Sequence, residues 1–486
     1  MFKRLTAKKS IQSLLKETED SEKKGLKRSL GAFNLTMMGV GAIIGAGIFV
    51  LIGEAASQYA GPAVTLSLVL AAIICVFSAL CYAELASVIP VSGSAYSYAY
   101  VTLGELAAWI IGWSLTLEYL FSAATVAVGW SAYFVSFCKD LGFVLPEKFC
   151  QAPLLYNIEG GWKMTGAFLN LPAIIIVGVI GCMIAIGIKA AARFNNIMVF
   201  VKIAIIVLFI GCGIAYVKAD NLTPFIPENT GIFGQFGWSG IVRGAGLIFF
   251  AFIGFDALST LAQEARNPQK DLPLGMLGSL SVSALVYVGI ALVLTGIVSY
   301  KLLFVPDPLA VAVNTLGPAF MWLRFVLKVG ILAGLTSVVL VMLLGQTRIF
   351  HTMSRDGLLP KKFSSIHPKF QTPFFSTIMV AVVCMVASGL FPVGILGNIV
   401  NMGTLLAFAI VCLGVLVLRY TQPHLHRPFR TPFVPLIPVL GVLACVGQMA
   451  VLPAVTWTQL VGWMVIGACI YGFYGIRHSR AKVEKT

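Results

Sequence analysis

Four ionisable residues stand inside apolar runs, and they carry the most chemistry in this chain. Glu118 lies in WSLTLEYLFSA, Lys202 in NNIMVFVKIAIIV, Asp256 in FFAFIGFDALST and Glu84 in CYAELASV. A charge in such surroundings costs about 3 kcal/mol or more, so each is read first as functional. Two carboxylates and an amine in lipid-like surroundings suit proton holding and transfer, and Lys202, Glu118 and Asp256 are the candidate proton-coupling groups. Each has a plainer reading. Lys202 could snorkel to an interface, Glu118 and Asp256 could sit protonated against a neighbouring helix, and Glu84 could tie down inner loops. Arg324 and Lys328 also look internal. However, Lys328 is 20 residues from Arg348, about 30 Å along a helix, which places it at the outer interface.

Other chemistries are missing from the sequence. There is no HExxH, no GxSxG, no CxxC and no P-loop, so neither a metal or nucleophilic enzyme nor an ATP-driven pump is expected. No cofactor and no metal are expected, and the five histidines fall outside the apolar runs.

The elements that must position these groups follow from composition. The 486 residues are 58% hydrophobic and 11% charged, against roughly 25% charged in soluble chains. Runs of roughly 20 apolar residues, enough to cross a bilayer, occur at 34–54, 63–89, 103–137, 170–189, 196–217, 241–263, 275–298, 317–349, 373–391, 395–418, 435–455 and 460–477. The reading is an all-α membrane protein of twelve transmembrane helices, without a cleavable signal. Net charge is +15, but most Lys and Arg fall on one side, which puts both termini in the cytosol. That pattern argues against nucleic acid and for a topology signal touching anionic lipid. The divisions expected are a basic N-tail (1–29), spans 1–5 (30–218), spans 6–10 (219–418), spans 11–12 (419–477) and a C-tail (478–486). Cys138 and Cys150 share the outer loop after span 3. If that loop meets an oxidising exterior they form a disulfide, worth about 3 kcal/mol for a loop of this length.

Two spans are interrupted. Span 1 reads GVGAIIGAGIF from Gly39, and span 6 reads GAGLIFFAFIGFDALST from Gly244. They lie five spans apart, so spans 1–5 and 6–10 would be inverted repeats (5+5), with discontinuous helices 1 and 6 meeting at a substrate site. An unwound turn leaves N–H and C=O groups that a ligand's carboxylate and ammonium can satisfy. Gly41–Gly45 alone is also a GxxxG packing face. Gly39-x-Gly41 lacks the strand–turn–helix setting of a dinucleotide site.

Four motifs taken together resemble one family. GVGAIIGAGIFVLIG, YAELASVIPVSGSAYSYAY, FFAFIGFDALSTLAQEARNPQKDLP and GQTRIFHTMSRDGLLP are similar to the amino acid–polyamine–organocation superfamily, nearest to bacterial relatives of its cationic amino acid transporters. The resemblance covers roughly 30–477. It implies the leucine-transporter-type fold, alternating access, and proton-coupled or sodium-independent transport of an L-amino acid across the cell membrane. By resemblance, the carboxylate meets amides at Gly45, Ala46 and Gly47 beside Ile43. The ammonium meets carbonyls of Phe250, Ala251 and Ile253, and Met342 walls the side-chain pocket with Phe250 and Ile253. Arg266 and Arg355 look like inner gate contacts. Lys202 would face span 1 carbonyls at Gly39 to Gly41 and a hydroxyl such as Thr336 or Ser337, in place of a coupling sodium ion. The rivals are a sodium-coupled transporter, a channel and an amino-acid sensor or receptor. Met342 leads us to expect small or medium neutral substrates, because an arginine there would be crowded and unpaired. The identity of the amino acid, the direction of transport and any accessory small membrane subunit stay open at this stage.

Overall fold

The computed structural model describes residues 7–10, 30–91, 93–157 and 161–480. Most of the predicted N-tail and residues 481–486 of the C-tail lie outside them. Apart from one hairpin between α5 and α6, β1 (Leu154–Asn157) against antiparallel β2 (Gly161–Met164), the ordered elements described are helical. Among the described residues, eight helical stretches are long and apolar enough to cross a membrane. Four shorter apolar helices accompany them: Ala32–Ile43, Leu171–Ile186, Phe374–Leu390 and Leu436–Val451.

In chain order the principal helices are α1 (Ala32–Ile43), α2 (Val64–Val88), α3 (Ser94–Thr102), α4 (Glu105–Thr116) and α5 (Ser122–Asp140). There follow α6 (Leu171–Ile186), α7 (Ile188–Gly213), α8 (Gly237–Ile248), α9 (Pro268–Ile297) and α10 (Pro308–Thr315). The last are α11 (Met321–Arg355), α12 (Phe374–Leu390), α13 (Val393–Thr421), α14 (Leu436–Val451) and α15 (Ala454–Ile470). The third predicted span is helical from Glu105 to Asp140, with α4 and α5 joined by a π-helical turn at Leu117–Phe121. Gly104, at φ 106, sets its start. The eighth runs six residues beyond its predicted end, to Arg355, and stops before Gly357 at φ 84.

Two packed sets emerge. Helix α9 packs on α1 and α2, and α2 packs on α8; α5, α6, α11 and α12 form a second set, with α7 wedged between α11 and α9. Helix α13 packs along α2 and α5 and carries α14. Helix α15 is pinned to α4: the rings of Trp113 and Trp463 stack at 4.6 Å, and each indole N–H donates to the other residue's carbonyl at 2.8 and 3.1 Å.

One expectation is corrected. Lys328, expected at an interface, is wholly buried near the start of α11. Its ammonium pairs with Asp140 at 2.5 Å and donates to the Ser136 hydroxyl at 2.7 Å, with Asp307 at 3.8 Å. Counter-ions from α5 and the segment before α10 supply what bulk water would have supplied.

Candidate functional site

The two glycine-rich interruptions are real breaks that face each other. Helix α1 ends at Ile43, Ile44 is extended (ψ 101), and the chain resumes as a π-helical turn, Gly47–Leu51. Helix α8 ends at Ile248 and tightens into a 3₁₀ turn, Phe249–Phe252. Ile253 is extended (ψ 137), Gly254 takes φ 122, and 3₁₀ turns continue over Asp256–Glu264. Glycine is needed for geometry at two points. Gly254 has a left-handed φ, and a Cβ there would meet Ala42 C at 3.0 Å. A Cβ on Gly47 would stand 2.3 Å from Cα of Ala251. The broken segments therefore touch backbone to backbone.

Carbonyls freed by the breaks inside an apolar core need donors, and neighbouring helices supply them. Lys202 of α7 donates to Gly41 O, to Ile44 O at 2.9 Å and to Ser337 Oγ of α11 at 3.2 Å, which uses all three protons of an ammonium. The Tyr287 hydroxyl of α9 lies 3.0 Å from Ile43 O and 2.8 Å from Ala251 O, bridging both breaks. Tyr133 donates to Phe49 O at 2.7 Å, and Asn401 donates to Gly246 O and Leu247 O at 2.9 and 3.1 Å.

A small cavity remains between the breaks. Its walls are Ala42, Ile43, Gly45 and Ala46 from the first break and Phe250 and Ile253 from the second. Ser122 and Val126 of α5 and Val338 and Met342 of α11 complete it. The cavity is small in this conformation, about 10 Å³, which is room for a single water-sized group. Of the residues predicted to bind substrate, Ile43, Gly45, Ala46, Phe250, Ile253 and Met342 lie on this wall. Gly47 and Ala251 pack on each other instead, and the Ala251 carbonyl is already taken by Tyr287.

The carboxylates lie elsewhere. Glu118, in the π-helical turn, is wholly buried and stands beside Asp256 and Thr404. Asp256 accepts from the Tyr119 hydroxyl at 2.5 Å and leaves its other oxygen unmatched. Neither residue lines the cavity. Glu84 is held by Arg419 (2.9 and 2.8 Å), Arg427 (3.2 Å) and the Thr431 N–H (2.7 Å), which binds α2 to α13 and the loop beyond it. Nearby, Asp356 accepts from Lys9 at 2.5 Å and from Tyr96 at 2.7 Å, and its carbonyl accepts from the Arg480 N–H at 3.0 Å. The Arg266 N–H donates to Leu30 O at 2.8 Å, and Arg355 is the last residue of α11. Cys138 and Cys150 are free, half-buried thiols. Burial, with Cys138 and Glu147 close by, pushes the Cys150 thiol up from its ordinary value.

Sequence reasoning missed Ala42, Ser122, Val126 and Val338 on the wall, and Tyr287, Tyr133 and Asn401 as carbonyl partners. The available signal was an uncharged polar group mid-span, in SALVYVGIAL, WSAYFVS and GNIVNMG.

A family model described as amino acid permease matches residues 30–473. The methylthioribose transporter of Bacillus subtilis is 42% identical over 98% of each chain. The branched-chain amino acid permease BcaP of the same species is 45% identical over 97% of this chain and 98% of its own. The vacuolar cationic amino acid transporter 4 of Arabidopsis thaliana is 35% identical over 82% of this chain and 64% of its own.

Proposed function

The chain belongs to the amino acid permease family, and on that premise we propose that it is a secondary transporter of neutral, medium-sized L-amino acids driven by protons. The observation that carries the reading is the cavity enclosed by the two helix breaks. Amides at Gly45 and Ala46 suit a carboxylate, carbonyls near Phe250 suit an ammonium, and the rest of the wall is mainly apolar. Val338, Met342 and Ile253 offer no countercharge to a cationic side chain, and a relative that carries branched-chain amino acids is in keeping with such a wall.

The proposed architecture is twelve spans in the cell membrane with cytosolic termini, spans 1–5 and 6–10 being inverted repeats. Support comes from the two breaks at corresponding places and from the two packed helix sets. Rocking of α1, α2, α8 and α9 against α5, α6, α11 and α12 would expose the cavity to each side in turn. Lys202 is the proposed coupling group. Its ammonium spans α1 and α11, where a bound sodium ion would otherwise bridge them, and opening of the inner side would separate these partners and let the proton leave. Glu118 is the competing proton site.

The test is uptake into liposomes under an imposed pH gradient, with and without sodium, for wild type, Lys202→Ala and Glu118→Gln. Proton-driven accumulation that is lost in Lys202→Ala is expected. Sodium-dependent uptake indifferent to the pH gradient would refute the coupling, and full accumulation by Lys202→Ala would move the role to Glu118.

A further inference from the structure

The continuous helix from α4 to α5 carries many hydroxyls, and they differ in one respect. Ser114, Thr116 and Thr125 donate to the carbonyl four residues back. Ser131 donates to Asn170, Ser136 contacts Asp307 and Lys328, Tyr119 donates to Asp256 and Tyr133 to Phe49. Ser122 alone among them is buried with no partner for its oxygen, and Ser122 is one that lines the cavity.

Ser122 follows directly on the π-helical turn Leu117–Phe121. Its backbone N–H reaches the Glu118 and Tyr119 carbonyls, while its hydroxyl oxygen has no partner. Leaving a hydroxyl buried and unmatched destabilises the fold, so the arrangement makes sense when something in the cavity completes the bond. The breaks form most of the rest of the wall. With their amides and carbonyls taking the carboxylate and ammonium of an amino acid, the arm left for Ser122 is its side chain.

We propose that Ser122 is a specificity-determining residue that hydrogen-bonds a hydroxyl on the substrate side chain, so that the pocket selects a β-hydroxy amino acid over its apolar isostere. Threonine and valine are the informative pair, having the same shape with one hydroxyl exchanged for a methyl. Val126, one turn along α5, and Val338 and Met342 on α11 provide apolar contact for the remaining methyl group. The assignment rests on the amino acid transport reading of the same cavity.

The experiment measures equilibrium binding of L-threonine and L-valine to purified protein in nanodiscs, for wild type, Ser122→Ala and Thr125→Ala. Thr125 is the control because its hydroxyl is satisfied within the helix. Wild type should bind threonine about tenfold more tightly than valine, the worth of one hydrogen bond to a buried hydroxyl. Ser122→Ala should reduce that ratio to one or below, and Thr125→Ala should leave it unchanged. Melting curves with no amino acid present show whether each variant is folded, and a ratio of two ligands on one protein is insensitive to the folded fraction. An unchanged ratio in Ser122→Ala, as expected if the serine holds only a water, overturns the proposal while amino acid transport stands. Binding of neither amino acid overturns the proposal, and failure of every neutral L-amino acid to bind overturns the transport reading as well.

Discussion

Placing one methyl group on Gly47 tests the contact between the two breaks. A Cβ there would stand 2.3 Å from Cα of Ala251, 2.5 Å from its Cβ and 2.7 Å from its nitrogen. The obstruction is mostly backbone, so no rotamer relieves it. Restoring an ordinary 3.4 Å contact requires the two broken segments to part by about 1 Å. Separation on that scale strains the Tyr287 bridge and the carbonyl contacts of Lys202 beside it. Overpacking of this type costs about 1–3 kcal/mol, and 2 kcal/mol is a factor of roughly 30 in an equilibrium. Gly47→Ala should therefore lower the melting temperature in detergent by several degrees and reduce initial uptake into liposomes by at least tenfold. Gly211→Ala is the internal comparison: Gly211 lies on α7 with nothing within 4 Å of a new Cβ. Alanine is the better helix former by roughly 0.5–1 kcal/mol, so that variant should melt at or above the wild-type temperature. Wild-type melting and uptake in Gly47→Ala would refute the contact, as would an equal loss in Gly211→Ala.

Three further outcomes are expected. Glu84→Ala leaves Arg419 and the buried Arg427 without their shared carboxylate, at a cost of about 3–5 kcal/mol; unchanged thermal stability would contradict that. Met342→Ser should raise arginine uptake relative to alanine by widening the wall and adding a hydroxyl, and the argument fails if the unmodified protein already takes up arginine better than alanine. Cys138 and Cys150 should be found disulfide-bonded by mass spectrometry when protein reaches an oxidising exterior and is isolated without reductant; both thiols free under those conditions would end that expectation.

The sequence showed the breaks plainly because glycines in an apolar run are costly unless the backbone does something other than continue a helix. Lys202 was legible for a related reason, as a solitary charge with its distance from the membrane edge countable in residues. The groups that answer the breaks were harder to see. Tyr287 and Asn401 are neutral and fit an apolar run without complaint, and only the fold brings them to carbonyls more than a hundred residues away in some cases. Lys328 was misplaced because helical rise gives depth and not surroundings, and Asp140 and Asp307 come from other segments. The π-helical turn before Ser122 has no glycine or proline to announce it. The place of that serine on the cavity wall therefore could not be read from LEYLFSA.

The meeting of Lys9, Tyr96 and Arg480 at Asp356 has a practical consequence for handling the protein. Residues near the two chain ends converge on one carboxylate and its own carbonyl, immediately after α11. Lys9 and Arg480 are thereby joined through Asp356 at the end of α11. A change at Lys9 or Arg480 therefore acts on the end of α11, the helix that carries Met342, and tagging or labelling near either residue should be checked against transport before a rate is assigned to the protein.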